Sequence, residues 1–494
     1  MNTKYKQNIW QATHCSLNFF GLFIAFNTAQ NIQSEALEDD GFGKLGFWSI
    51  GILYLSIMVG CFFSTAVQNK IGDVKCMALG SLLNTPWILS FALCGYKKEN
   101  PNNDAFYLRE DFITILIVVL SIINGLGQAI QWVGQGKYMS DCATEETKGF
   151  FFSYFWLFYM ASQIFGNLIA AFCLNSMSQS SMFVILGLIS FVSSISSLFL
   201  RKPNINVSRN DLNSSQQIAR RNSQIFKIAE DNANEAQDVA ILGGTRNTVG
   251  NMQGQGSQLD IPKKPTLKEE IISLCVMLFS ARMRRLVPQL FWTGISIAFY
   301  SSALTPMITE TIQDSGKKLE RSMIAMVIFG IGQVAGSLLV GQIIDRRGSK
   351  YVSMLNCGII FIMTFCTLAF LGINKFNMLA FLMTFIWGVQ DAFVNINCLQ
   401  ILGFEFDNNS EPFSIFNMAQ ALGVFIFQII ESVIDSRIKY MIYTGFIGLI
   451  GLYSCGLTYF FDFREHNSQP LEVRISKINI SLQSKEQNFD EHRV

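Results

Sequence analysis

Apolar stretches of about 20 residues, the length that crosses the hydrocarbon core of a bilayer as a helix, recur twelve times along this sequence. Six lie at about 9–32, 43–68, 75–96, 111–136, 149–174 and 180–200. Six more lie at about 286–309, 321–344, 350–372, 376–400, 412–433 and 438–461. A backbone in hydrocarbon has to satisfy its own hydrogen bonds, so each run reads as a helix. Only 15% of the 494 residues are charged, against about a quarter in a soluble domain. The pattern predicts an all-α polytopic membrane protein, with twelve transmembrane helices in two six-helix bundles. The halves span 1–200 and 286–461. Between them, 201–265 is rich in Asn, Gln, Ser and Gly and reads as a flexible cytosolic linker. Residues 266–285 carry Ile271, Leu274, Leu278 and Met283 at near-helical spacing and end on Arg282, Arg284 and Arg285. They read as an amphipathic helix on the cytosolic membrane face. The polar tail 462–494 completes the chain.

Basic residues near the span ends set the orientation. Lys4, Lys6, Lys70, Lys75, Arg346, Arg347 and Lys350 fall on one side, with the linker arginines, whereas the first loop carries Glu35, Glu38, Asp39 and Asp40. Both termini are therefore expected in the cytosol, with the protein in the plasma membrane or an endomembrane. The lipid bilayer is its first partner. A net charge of +1 gives no reason to expect nucleic acid.

Eleven cysteines are scattered without metal-ligand or redox spacing, and there are only three histidines. They read as small buried hydrophobes rather than a disulfide framework or a metal site. No cofactor motif stands out, and no signal-peptide cleavage site follows the first run. No nucleophile elbow, His-paired Ser or Cys, or pair of carboxylates in one span appears, so an enzyme is not expected.

The halves carry a short internal repeat. After the eighth run stands Gly341-Gln342-Ile343-Ile344-Asp345-Arg346-Arg347-Gly348, and after the second run Asn69, Lys70 and Gly72 occupy the places of Asp345, Arg346 and Gly348. The glycines suit tight turns, and the basic residues suit a cytosolic helix end. The Gly-x-x-x-Asp-Arg-x-Gly form resembles the cytosolic loop signature of the major facilitator superfamily. The first-half copy departs from it in lacking the Gly and the Asp. The resemblance implies two bundles with a midplane site, lined by the first, fourth, seventh and tenth spans.

Polar residues interrupt those spans at helical spacing. The fourth carries Asn124, Gln128, Gln131 and Gln135 at i, i+4, i+7 and i+11, one continuous stripe. The first carries His14 and Asn18, the seventh Gln289, Thr293, Ser296 and Tyr300, and the tenth Asp391 and Asn395. Asp391 reads as the one carboxylate well inside an apolar run. An ionised carboxylate there has to be neutralised, paired or wet. A proton- or cation-binding role and a packing role satisfied by nearby amides stand open side by side. The amides likewise read either as cavity lining or as glue between helices.

Three segments resemble the uncoordinated-93-like (ion channel regulatory) branch of that superfamily. The first contains Trp132, Gln135, Gly136, Tyr138, Gly149, Phe151, Phe152, Gly166, Asn167, Leu168 and Ile169. The second is the approach to the seventh span, ARMRRLVPQLFWTG, and the third the tenth-span Gly388 and Asp391. Asn395-Ile396-Asn397 departs from the Asn-Thr-Gln usual after that segment. The resemblance implies either of two activities. One is a secondary transporter of an unidentified ion or small polar solute, with a central site between the bundles. The other is a non-transporting regulator or trafficking chaperone of a partner channel or receptor.

Overall fold

The computed structural model describes residues 3–143, 147–203, 267–314, 317–406 and 411–463. Most of the predicted linker and nearly all of the predicted tail lie outside the described residues. The described residues up to Phe461 form one compact unit, which is all-helical. The first six long helices are Thr3–Leu37, Leu45–Ile71, Asp73–Glu99, Glu110–Cys142, Lys148–Ser176 and Gln179–Ser197. The seventh span is composite: Ala281–Ala298 runs through a π-helical turn, Phe299–Ala303, into Leu304–Thr309. Lys318–Arg347, Ser349–Ile373, Met378–Glu405, Glu411–Glu431 and Arg437–Thr458 follow.

Ten of these helices are individually long and apolar enough to cross a membrane. The first and the seventh are the exceptions, for identifiable reasons. The first buries a polar ladder against the fifth. Asn27 Nδ2 donates to Ser162 Oγ at 3.1 Å, and Asn31 Nδ2 donates to Gln163 Oε1 at 2.8 Å. The seventh is divided by its π turn, an irregularity often found where a helix faces a functional site.

The helix expected over 266–285 is shorter. It ends at Leu278, because Ser280 starts a new helix by accepting the Met283 N–H on its hydroxyl, at 3.3 Å. The arginine cluster thus belongs to the first turn of the seventh span. Arg282 pairs with Glu405, its guanidinium 5.4 Å from the Phe406 ring centre and 5.1 Å from that of Phe461.

The repeated loop has the same backbone in both halves. Gly72 ends the second helix at φ 87°, ψ 160°, and Gly348 ends the eighth at φ 79°, ψ 164°. Only glycine readily occupies that region. In both turns its N–H donates 2.8 Å back to the carbonyl four residues earlier, of Gln68 and Ile344. Lys70 and Arg346 are exposed beside these turns; the side chain of Asp345 lies outside the described residues. Gly341 packs closely against the fifth span, where a Cβ would lie a tight 3.3 Å from Ser153 Oγ.

The halves meet along two seams, the fifth helix against the eighth and the second against the eleventh. On the first seam Asn167 Nδ2 donates to the Met326 carbonyl at 3.2 Å. On the second, the Thr65 and Ser414 hydroxyls share a hydrogen bond at 3.2 Å. Between the seams lies the cavity.

Candidate functional site

Two glycines bring the helices of the second half close enough to build one wall of the cavity. A Cβ on Gly388 would lie 2.0 Å from the Phe329 carbonyl oxygen, so the tenth helix crosses the eighth backbone to backbone. One turn on, Gln333 of the eighth reaches Asp391 of the tenth. Its Nε2 donates to Asp391 Oδ2 at 2.7 Å. A Cβ on Gly294 would lie 2.0 Å from the Gln420 carbonyl oxygen, which joins the seventh helix to the eleventh in the same way.

Asp391 is 2% exposed. Asn395 Nδ2 donates to its Oδ1 at 3.0 Å and to its backbone carbonyl at 2.9 Å. Gln420 Nε2 donates in turn to Asn395 Oδ1 at 3.1 Å and to Thr293 Oγ1 at 3.0 Å. Among the described residues, no Lys, Arg or His forms an ion pair with Asp391. The carboxyl group is held by neutral amides and faces a cavity of about 60 Å³. That is room for roughly four to six water-sized groups. No group of three His, Cys, Asp or Glu could hold a metal ion among the described residues.

The first half supplies the opposite wall. Phe23 and Phe26 come from the first helix, Tyr54 from the second, Gln128, Trp132 and Gln135 from the fourth, and Trp156 and Tyr159 from the fifth. Their rings are locked together. Trp132 lies 5.2 Å from Phe23, 5.3 Å from Tyr159 and 6.2 Å from Trp156, centre to centre. Tyr300, carried by the π turn, joins from the second half.

The halves also touch at both ends of the cavity. Toward the glycine turns, the Phe152 and Phe413 rings stack at 6.2 Å. Toward the acidic first loop, Ser34 Oγ donates to Ser302 Oγ at 3.3 Å, and Thr309 Oγ1 donates to Glu35 Oε1 at 3.3 Å.

The residues singled out from the sequence divide into two groups. Asp391, Asn395, Gln128, Gln135 and Tyr300 line the cavity. Asn124 and Gln131 turn to the third helix instead, donating to Asn84 Oδ1 at 3.1 Å and Ser81 Oγ at 3.0 Å. His14 meets Ser196 of the sixth helix at 3.4 Å, and Ser296 donates to Gln390 Oε1 at 3.0 Å. Asn18 is buried, with an unpartnered Nδ2 and no place among the lining residues. Sequence reasoning left out Gln420 and Asn417 of the eleventh span, Gln333 behind Asp391, and the ring wall. The polar breaks at Gln333 and Gln420 were the available signal. It also left out a second buried carboxylate. Glu431, 2% exposed at the end of the eleventh helix, accepts the Tyr443 hydroxyl on Oε1.

Comparison with known proteins follows the same lines. Residues 105–428 match the family model described as Major Facilitator Superfamily. The chain is 22% identical over 467 residues to the UNC93-like protein MFSD11 of Xenopus laevis, covering 88% of this chain and 93% of that one. It is 27% identical over 176 residues to UNC93-like protein 3 of Arabidopsis thaliana, about a third of each chain (34% and 33%). Among solved structures, a D-xylose–proton symporter superposes with a TM-score of 0.62 at 11% identity, over 93% of this chain and 99% of that one. A bacterial homologue of the iron transporter ferroportin, in an outward-facing state, superposes at 0.59 and 11% identity, over 92% and 99%. At these identities the structures speak for the fold.

Proposed function

The chain belongs to the major facilitator superfamily, and from that premise we propose that it is a secondary transporter of an ion or small polar solute. The cavity around Asp391 is its central site. The observation that carries this reading is a buried carboxyl group with no ion-pair partner among the described residues, facing a cavity walled by both halves of the chain. A residue present only to join helices has no need of a cavity, and an uncompensated intramembrane acid marks an ion or substrate path by default. The two halves close on each other at either end of the site, as an occluded stage of alternating access requires. The basic residues at the turn ends favour a cytosolic position for both termini. The site's hydrogen-bonding groups offer binding and orientation, with no nucleophile–base pair for covalent chemistry.

The test is flux into proteoliposomes with a panel of ions and small solutes. Uptake that saturates and disappears in Asp391→Asn supports the reading. Uptake unchanged in that variant at every pH would remove Asp391 from the mechanism. A second reading, a non-transporting regulator or escort of another membrane protein, draws on how tightly the halves meet at both ends. It predicts co-purification with a polytopic partner and no flux for any solute.

A further inference from the structure

The two walls of the cavity differ in chemistry. One is a cluster of aromatic rings from the first half, Trp132, Trp156, Tyr159 and Phe23, with Tyr54 beside them. Phe19 and Phe155, one layer behind, are fully buried, whereas Trp132 and Tyr159 keep partial exposure, and both line the cavity. The other wall is the Asp391 carboxyl group with its amides. Aromatic faces attract cations and repel anions, and do so most strongly where water is excluded. A carboxyl group opposite them adds the same preference. A hydrated inorganic cation would gain from the carboxyl group but find few oxygen ligands on the ring wall. A cation wearing its charge on methyl or methylene groups needs no such ligands. It fits π faces on one side and a carboxylate on the other. The volume, about 60 Å³, matches a headgroup of roughly five heavy atoms. A separate observation points to a ligand. Gln128, 1% exposed, lines the cavity with both amide atoms unpartnered, and Gln135 lines it with an unpartnered Nε2.

We propose that the cavity binds a small organic monocation, a methyl-substituted ammonium, between the Trp132–Trp156–Tyr159 wall and Asp391. The amide of Gln128 is placed to meet a hydroxyl or carbonyl carried on such a ligand. The inference rests on reading the cavity as the transport site and names the chemical class that enters it.

The test uses the full chain purified in detergent, with binding read as a saturable rise in the thermal unfolding midpoint. The probes are tetramethylammonium, choline, and the uncharged choline isostere 3,3-dimethylbutan-1-ol, beside potassium and sodium chloride. Choline and tetramethylammonium are expected to stabilise the protein, with the neutral isostere at least tenfold weaker, roughly the discrimination of one desolvated cation–π contact before the carboxylate adds to it. Trp132→Leu is expected to weaken tetramethylammonium by roughly three- to thirtyfold. Because the charged and neutral probes are compared on the wild-type protein, the result does not depend on a variant folding. Equal binding of the isostere overturns the proposal, as do inorganic cations binding as well as the methylated ones, or no binding of either ammonium probe. Radiolabelled choline in proteoliposomes separates this from the transport reading. Binding without flux keeps the cation site and removes transport. Flux of neutral solutes without ammonium binding does the reverse.

Discussion

Replacing Asp391 by Asn separates charge from packing at the heart of the cavity. The two side chains have the same shape, and one acceptor oxygen becomes a donor. In the wild type, Gln333 Nε2 donates to Oδ2 and Asn395 Nδ2 to Oδ1. Gln333 Oε1 has no partner. Turning the Gln333 amide by half a turn therefore offers an acceptor to the new Nδ2, and the hydrogen-bond count is kept. Asn395 retains its bond to the residue-391 carbonyl throughout. The cost to stability is expected to be below ~1 kcal/mol. Asp391→Ala has no such rescue. It strands the Gln333 amide entirely and opens a void, at about 2–4 kcal/mol. The effect on a bound cation runs the other way. A unit charge about 4 Å from the carboxylate, at an effective dielectric constant of ~20, gains about 4 kcal/mol. That is close to a thousandfold in affinity. The expected result is a sharp dissociation of two readouts on one preparation. The Asn variant unfolds within ~4 °C of wild type, since domains of 150–250 residues shift by only ~2–4 °C per kcal/mol, yet it loses saturable uptake. The Ala variant loses both. If Asn lowers the midpoint as far as Ala does, the carboxyl group is a structural hub. If Asn keeps full uptake, the charge has no role in transport.

Gly388→Ala should separate the eighth and tenth helices, because its Cβ would fall 2.0 Å from the Phe329 oxygen. A loss of about 1–3 kcal/mol is expected, seen as a lower unfolding midpoint, together with weaker ligand binding as Gln333 withdraws; an unchanged midpoint would contradict the close crossing. Tyr443→Phe removes the hydroxyl held by Glu431, whose Oε2 is already unpartnered, and should cost about 1–3 kcal/mol by thermal unfolding. A shift no larger than that of an exposed Tyr453→Phe control would show the pair to be idle. Asp40, in the loop after the first helix, is pushed up to about 6 by burial, against the opposing pull of Lys98. Its neutral form therefore favours the fold. That contribution is complete below the ordinary aspartate range and is lost as pH rises through about 6. Asp40→Asn, which stays neutral, should gain stability relative to wild type across that interval, and melting both proteins from ~pH 4 to ~pH 8 checks the sign.

Much of this was legible in the residues. Twelve runs of bilayer length dictated twelve helices, since hydrocarbon leaves the backbone no other partner. Gly72 and Gly348 marked turns because few other residues tolerate their dihedral angles. Asp391 stood out because charge inside an apolar run is costly wherever it lies. Glu431 did not, since it sits at the end of its run, where a carboxylate ordinarily reaches water. The seventh span's start was misplaced by a few residues because Ser280 resets the helix through a single hydrogen bond.

The amide stripe of the fourth span marks where sequence stops. At about 100° per residue, Asn124, Gln128, Gln131 and Gln135 fall within an arc of about 60°, so periodicity shows one face and no division within it. The helix sits at a corner between the third helix and the cavity, and a rotation of a few tens of degrees decides which way each amide turns. Asn124 and Gln131 went to Asn84 and Ser81, and Gln128 and Gln135 to the cavity. The ring wall was equally hidden. Among 44 phenylalanines, 7 tryptophans and 13 tyrosines, nothing local distinguishes rings that fill a core from rings that face a void. The sequence by itself determined the number of spans, their polar faces and the acid among them. Only packing between segments more than 200 residues apart brought Trp132 and Asp391 to opposite walls of one cavity, because that meeting depends on how the two halves dock and on no local property of either.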